Sequence, residues 1–89
     1  MKELPKNVKL YKEKIFNNKN VPIFFLSEHS TKNKVWGVLT ILKGEIKYTI
    51  GKEEYLLNTK KQGIIEPTVI HHIELLGEVE FKIGFYKAV

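Results

Sequence analysis

The stretch VWGVLTILKGEIKYTI, residues 35–50, carries two strand patterns in succession. Across 35–42 both parities are apolar, with only Gly37 and Thr40 interrupting. A strand of that kind is covered on both faces. Across 45–50 the pattern becomes strict alternation. Ile46, Tyr48 and Ile50 fall on one face and Glu45, Lys47 and Thr49 on the other, the period of a strand with one buried face. Between the two, Lys43-Gly44 predicts a turn, with Gly44 free to take a positive φ.

Downstream, Gly51-Lys52 predicts a second turn into a strand at Tyr55-Leu56-Leu57. Residues 58–63 are polar and read as a loop. Ile64-Ile65 reads as a short strand stopped by Pro67, which cannot donate to a ladder. Residues 71–76 form the next strand, punctuated by Gly77. Residues 78–86 alternate again, Val79, Phe81, Ile83 and Phe85 against Glu80, Lys82 and Gly84. Upstream, the apolar run 21–27 reads as a strand and residues 6–16 as an edge strand. No window holds helical periodicity over about 11 residues, so at most a single helical turn is expected. Short strands at this spacing predict an all-β sandwich or barrel.

The 89 residues, 1–89, are expected to form a single domain with a small core. At 43% apolar and 28% charged the composition is that of a globular chain rather than a disordered one. Cysteine, aspartate and arginine do not occur. Disulfides, thiolate nucleophiles, Cys-ligated zinc, a Ser-His-Asp triad and an arginine fork for phosphate are thereby excluded. Only Ser27 and Ser30 remain as serine nucleophiles.

The absence of cysteine fits a reducing cytoplasm. The opening Met1-Lys2-Glu3-Leu4-Pro5 has no apolar stretch after its charge, so no signal peptide is expected. No run approaches the roughly 18 apolar residues of a membrane span. The chain is therefore expected to be cytoplasmic, with no membrane partner. Its net charge of +5 raises nucleic acid as a partner. The lysines, however, run from Lys2 to Lys87 with only Lys60-Lys61 adjacent. Dispersed charge of this kind is mostly a solvated surface, which leaves a basic nucleic-acid-binding barrel as a third alternative.

The groups able to do chemistry are His29, His71, His72 and the glutamates. His71 and His72 are adjacent on a strand and must point to opposite faces. His71 shares its face with Ile73 and Leu75, and His72 shares its face with Glu74 and Leu76. His71 is thus the interior one, and the two cannot chelate one ion from a regular strand. A shared site would need His71 and the distant His29. Two histidines with a glutamate and waters would suit zinc, iron, nickel or manganese. Against this stands a structural reading, in which His71 is a hydrogen-bonded core histidine and His29 caps a loop. Trp36 and Tyr48, added to the histidines, would line a small-ligand pocket. Equally, Trp36 would serve as the anchor of a small core. Glycine-rich phosphate loops and HExxH are absent.

Three segments carry a family resemblance: HSTKNKVWGVLTILKGEIKY (29–48), EPTVIHHIE (66–74) and EVEFKIGFY (78–86). Together they resemble the N-terminal domain of the tellurite-resistance TehB family and its stand-alone, TehB-like relatives. The resemblance implies a small cupin-like double-stranded β-helix, a jelly-roll barrel. In larger members the domain precedes a methyltransferase that uses S-adenosylmethionine, and no such second domain is expected here. Of the cupin metal ligands, His29 falls near the first histidine and His71 matches the later one. Thr31 stands in the place of the second histidine and Gly37 about where the glutamate would be. Glu28 or water would have to complete a metal shell. The resemblance thus implies a non-enzymatic ligand-binding or accessory module linked to tellurite or oxyanion response. The ligand would be a small molecule or oxyanion in a pocket of His29, Trp36, Tyr48 and His71. The alternative is a metal-dependent cupin enzyme using His29 and His71. A homodimer is expected, because a small core gains from association and residues such as Leu75 and Leu76 leave apolar groups on both faces of one strand.

Overall fold

A computed structural model describes residues 1–89. Its strands are β1 (Val8–Asn17), β2 (Trp36–Ile50), β3 (Glu53–Leu57), β4 (Gly63–Ile65) and β5 (His71–Ala88). All pairings are antiparallel, and the only helical element is one 3-10 turn at Ile23–Leu26. The chain is all-β, as its alternation predicts.

The long strands β2 and β5 form the central pair, in register from Trp36 opposite Tyr86 to Ile50 opposite His71. β1 lies on the outer edge of β5, from Val8 opposite Ala88 to Asn17 opposite Glu80, as the expected edge strand. On the other edge of β2, β4 covers Gly37–Leu39 and β3 covers Ile46–Ile50. The strand path β1-β5-β2-β3 therefore has two ends that do not pair. The hydrogen bonds do not close the expected barrel, and the sheet is open. The reason is positional. β1 runs along the C-terminal half of β5, whereas β3 lies beside the half of β2 that pairs with the start of β5. The two edge strands flank opposite ends of the central pair.

Both halves nonetheless feed one core of 13 buried residues. Ile46, Tyr48, Leu57 and Phe81 are wholly inaccessible within it. Burying a side chain of this size stabilises the fold by about 1.5–3 kcal/mol.

The Lys43-Gly44 turn is a correction. β2 continues through it, and the register against β5 shifts between Ile41 and Lys43 and again between Lys43 and Glu45. Gly44 has φ +81, and a Cβ there would collide with the carbonyl oxygen of Glu78. This is a β-bulge, which adds one residue and flips the alternation. Leu39 and Ile41 are buried before it, and Ile46, Tyr48 and Ile50 after it. Gly77, expected to end a strand, lies opposite the bulge inside the continuous β5 at φ +83. Asn18 completes the interrupted ladder there. Its Nδ2 donates to the Gly77 carbonyl at 2.8 Å and its Oδ1 accepts from the Val79 N–H at 2.8 Å.

The strand expected over 21–27 is the second correction. Pro22, at φ −62, accepts a hydrogen bond from the Phe25 N–H at 3.0 Å, which starts the 3-10 turn. Of the turn residues only Phe25 is buried. The neighbouring edge of β5 is already occupied by β1 up to Asn17, so this apolar run has no ladder there to join.

Candidate ligand cavity

The 3-10 turn and the residues after it form one wall of a cavity of about 640 Å³. Ligand pockets commonly span about 300–1,000 Å³. The opposite wall is the inner face of β1 and β5. On β1, Lys12, Lys14 and Phe16 share one parity and line the cavity together, as do Ile83, Phe85 and Lys87 on β5. Val35 and Ile65 contribute from the start of β2 and from β4, and Ser30, Thr31 and Lys32 from the loop.

His29 and His71 both line it. They form an isolated antiparallel bridge: the His29 N–H donates to the His71 carbonyl at 3.0 Å, and the His71 N–H to the His29 carbonyl at 2.8 Å. Their ring centroids lie 4.2 Å apart, with the planes inclined at 63°. Residues 42 positions apart in sequence are thus held side by side by backbone bonds.

Backbone carbonyls also set both tautomers. Nδ1 of His29 lies 2.8 Å from the Ser27 carbonyl, and Nδ1 of His71 lies 2.9 Å from the Val69 carbonyl. A carbonyl only accepts, so each Nδ1 carries a proton, and in the neutral imidazole Nε2 is the acceptor. Neither Nε2 has a protein partner, yet the structure contains no fully buried side-chain nitrogen or oxygen without one. His71 as a residue is 3% exposed, and its unpartnered Nε2, not being fully buried, belongs to the small part that meets the cavity. Burial pushes the His71 pKa below its ordinary 6.5, and the neighbouring His29 pushes the same way. Phe25 stacks on His29 with centroids 5.7 Å apart, and Phe24 meets it edge-on at 5.6 Å.

The other expected pocket residues lie elsewhere. Tyr48 is inside the core, its centroid 6.3 Å from that of His71, and its hydroxyl donates to the Ile64 carbonyl at 2.8 Å. Burial raises its pKa well above the usual phenol range. Trp36 is half-buried and opposite in parity to the inward Gly37 and Leu39, and it does not line the cavity. His72 faces away from His71 and is half-buried opposite Thr49, as strand alternation requires.

As a metal centre the donor set is thin. No group of three His, Cys, Asp or Glu side chains stands together anywhere in the protein, so neither Glu28 nor any other carboxylate joins the two imidazoles in such a group. Thr31 donates its hydroxyl to the Val35 carbonyl at 2.9 Å. Gly37 is closely covered by Ile65. Resident zinc takes three or four protein donors, and the facial iron triad takes two histidines and a carboxylate. The residues present do not fit such an ion.

The cavity also contains residues that the sequence reading passed over. Lys12, Lys14, Lys32 and Lys87 line it, and no carboxylate does. None of the four takes part in the protein's ion pairs, which engage Met1, Lys2, Lys43, Lys47 and Lys82. Lys87 instead lies over the Tyr11 ring, 4.4 Å from its centroid. The available signal was the alternation Lys12-x-Lys14-x-Phe16, which sends both lysines to the face of a buried phenylalanine.

Comparison with known proteins settles the family. The profile of the TehB-like domain matches residues 12–83. The chain belongs to the TehB-like domain family. This TehB-like domain is 32% identical over 80 residues to the probable S-adenosyl-L-methionine-dependent methyltransferase TehB of Haemophilus influenzae strain Rd, covering 81% of the domain and 28% of that protein. It is similar in structure to the crystal structure of TehB from Haemophilus influenzae, with TM-score 0.85 and 29% identity over 93% of this chain and 32% of that one. The TehB-like domain therefore spans under a third of the curated relatives it matches. An Escherichia coli K12 protein shares the fold along essentially its whole length, with TM-score 0.91 at 20% identity over 100% of this chain and 99% of that one. The structure of FeII HppE in complex with substrate shows a likeness of fold alone, with TM-score 0.59 at 17% identity over 98% of this chain and 56% of that one.

Proposed function

We propose that this TehB-like domain is a non-enzymatic ligand-binding module on a cupin-like scaffold, and that its cavity takes a small anion. Methyl transfer, named for the curated relatives, is left to the part of those proteins that this chain does not match. One observation carries the reading: an apolar cavity ringed by Lys12, Lys14, Lys32 and Lys87 with no carboxylate among its walls. Ammonium groups free of carboxylate partners attract an anion, and apolar walls behind them strengthen that attraction by excluding water. The likeness to FeII HppE supports the cupin-like scaffold. The family name supports a link to tellurite or a related oxyanion.

Calorimetric titration with tellurite, sulfate and benzoate at low and high salt tests the proposal. Binding of at least one anion is expected, weakening as salt rises and weakening again in Lys12→Gln/Lys14→Gln. Loss of all anion binding at low salt would overturn it. So would a stoichiometric metal ion in the purified protein, which would favour the enzyme reading at His29 and His71. Tight, steeply salt-dependent binding of single-stranded DNA without anion binding would favour a nucleic-acid barrel.

A further inference from the structure

The cavity is polarised along its depth. Phe16, Phe25, Val35, Ile65, His71 and Ile83 are buried and form its floor, whereas Lys12, Lys14, Lys32 and Lys87 are exposed at its rim. On that floor the only polar side-chain atoms are those of the His71 imidazole, with the half-buried His29 ring beside it. Both Nδ1 atoms are engaged with backbone carbonyls. The floor therefore presents the Nε2 acceptor of His71 and no side chain with a free donor.

This arrangement discriminates between the two ends of a ligand. A carboxylate pushed to the floor would set its lone pairs against those of Nε2 in apolar surroundings, which is costly. Burial, which disfavours the imidazolium of His71, keeps that acceptor character. The charge belongs at the lysine rim. The buried end must be a hydrogen-bond donor, because an apolar end would leave Nε2 without a partner and without water. The lining from floor to rim is largely aromatic: Phe16 and Phe25 meet edge-to-face at 5.2 Å on the floor, and Phe85 and Phe24 lie further out. Edges and faces of this kind suit a flat ring.

We propose that the ligand is a hydroxyaryl carboxylic acid, with its carboxylate among the rim lysines, its ring against the phenylalanine side chains and its hydroxyl donating to Nε2 of His71. This rests on the anion-binding reading above and names the class of anion.

Nitrogen-detected NMR of the histidine side chains, combined with titration, tests it. The ligands are 4-hydroxyphenylacetate, phenylacetate and sulfate. The hydroxylated acid is expected to bind about tenfold more tightly than phenylacetate, since the latter leaves a buried acceptor unpaired. It should move the His71 Nε2 resonance while phenylacetate leaves it nearly in place. In His71→Phe the preference should vanish with phenylacetate binding retained. Should that variant fail to fold, the Nε2 shift in the unaltered protein still decides the matter. Equal affinity for the two organic acids would overturn the hydroxyaryl assignment and leave anion binding standing. Binding of sulfate without either organic acid would do the same. No response to any of the three would overturn the hydroxyaryl assignment, and failure of tellurite as well would overturn the anion reading with it.

Discussion

His29 and His71 exchange both backbone hydrogen bonds, at 3.0 and 2.8 Å, and their rings meet with centroids 4.2 Å apart. Residues directly opposite each other in an antiparallel ladder project to the same face. The shared position of the two imidazoles is therefore a property of the backbone pairing. It does not need a bound group to hold the rings together. The same pairing ties the loop that follows the 3-10 turn to the start of β5, and so shapes one wall of the cavity.

The two adjacent histidines should separate cleanly on mutation. His71→Ala truncates a residue that is only 3% exposed and is expected to cost about 2–4 kcal/mol. It should also weaken binding of the hydroxyaryl acid about tenfold. His72→Ala, on the half-exposed outer face, should stay within about 0.5 kcal/mol and bind as before. Urea denaturation and titration of both variants check this; equal effects would contradict the assignment of faces.

Stability should fall in mild acid. The folded-state pKa of His71 lies below its ordinary value of 6.5, so the unfolded chain binds the more protons in the window just beneath 6.5. Stability then rises with pH across that window. This contribution is fully present above 6.5 and is lost as pH falls from there toward the lowered folded value. Urea midpoints measured from about pH 7.5 down to about pH 5 should show the decline. His71→Gln should flatten it, and an unchanged slope in that variant would assign the decline to other groups.

The two positive-φ glycines of the bulge should differ. At Gly44 an added Cβ meets both an unfavourable φ and the Glu78 carbonyl, so Gly44→Ala is expected to cost about 2 kcal/mol or more. At Gly77 nothing lies within 4 Å of such a Cβ, so Gly77→Ala should cost only the backbone penalty, about 1 kcal/mol. Thermal unfolding of the pair orders them, and a reversed order would mean that the bulge is not the strained point.

Tyr48→Phe isolates a core hydrogen bond from the cavity. It leaves the Ile64 carbonyl without the phenol donor now 2.8 Å away. A loss of about 1 kcal/mol is expected, with ligand affinity unchanged because Tyr48 does not line the cavity. A marked drop in affinity would restore Tyr48 to the site.

Much of the fold could be read from local pattern. The alternation at Ile46, Tyr48 and Ile50, and again at Val79, Phe81 and Ile83, is seen as buried residues at those positions. The split between His71 and His72 follows from the same period of two. The meeting of His29 with His71 rested on family resemblance, because nothing within either segment names the other as its partner. The bulge was misread because a glycine at positive φ serves a hairpin turn and a bulge equally well. Only the presence of β5 alongside β2 distinguishes the two. The run 21–27 has strand composition, yet it became a turn because β1 had taken the adjoining edge of β5.

The sequence by itself determined which residues face inward where apolar and polar positions alternate, at 46–50 and 79–83, since that alternation is built into the extended backbone and needs no partner. Tertiary structure alone decided where the strands bend, that the sheet stays open, and that Lys12, Lys14, Lys32 and Lys87 surround one cavity. Those outcomes depend on which edge each strand finds. That choice is stabilised by contacts between distant residues, such as Asn18 with Gly77 and Val79, about which neither segment carries local information.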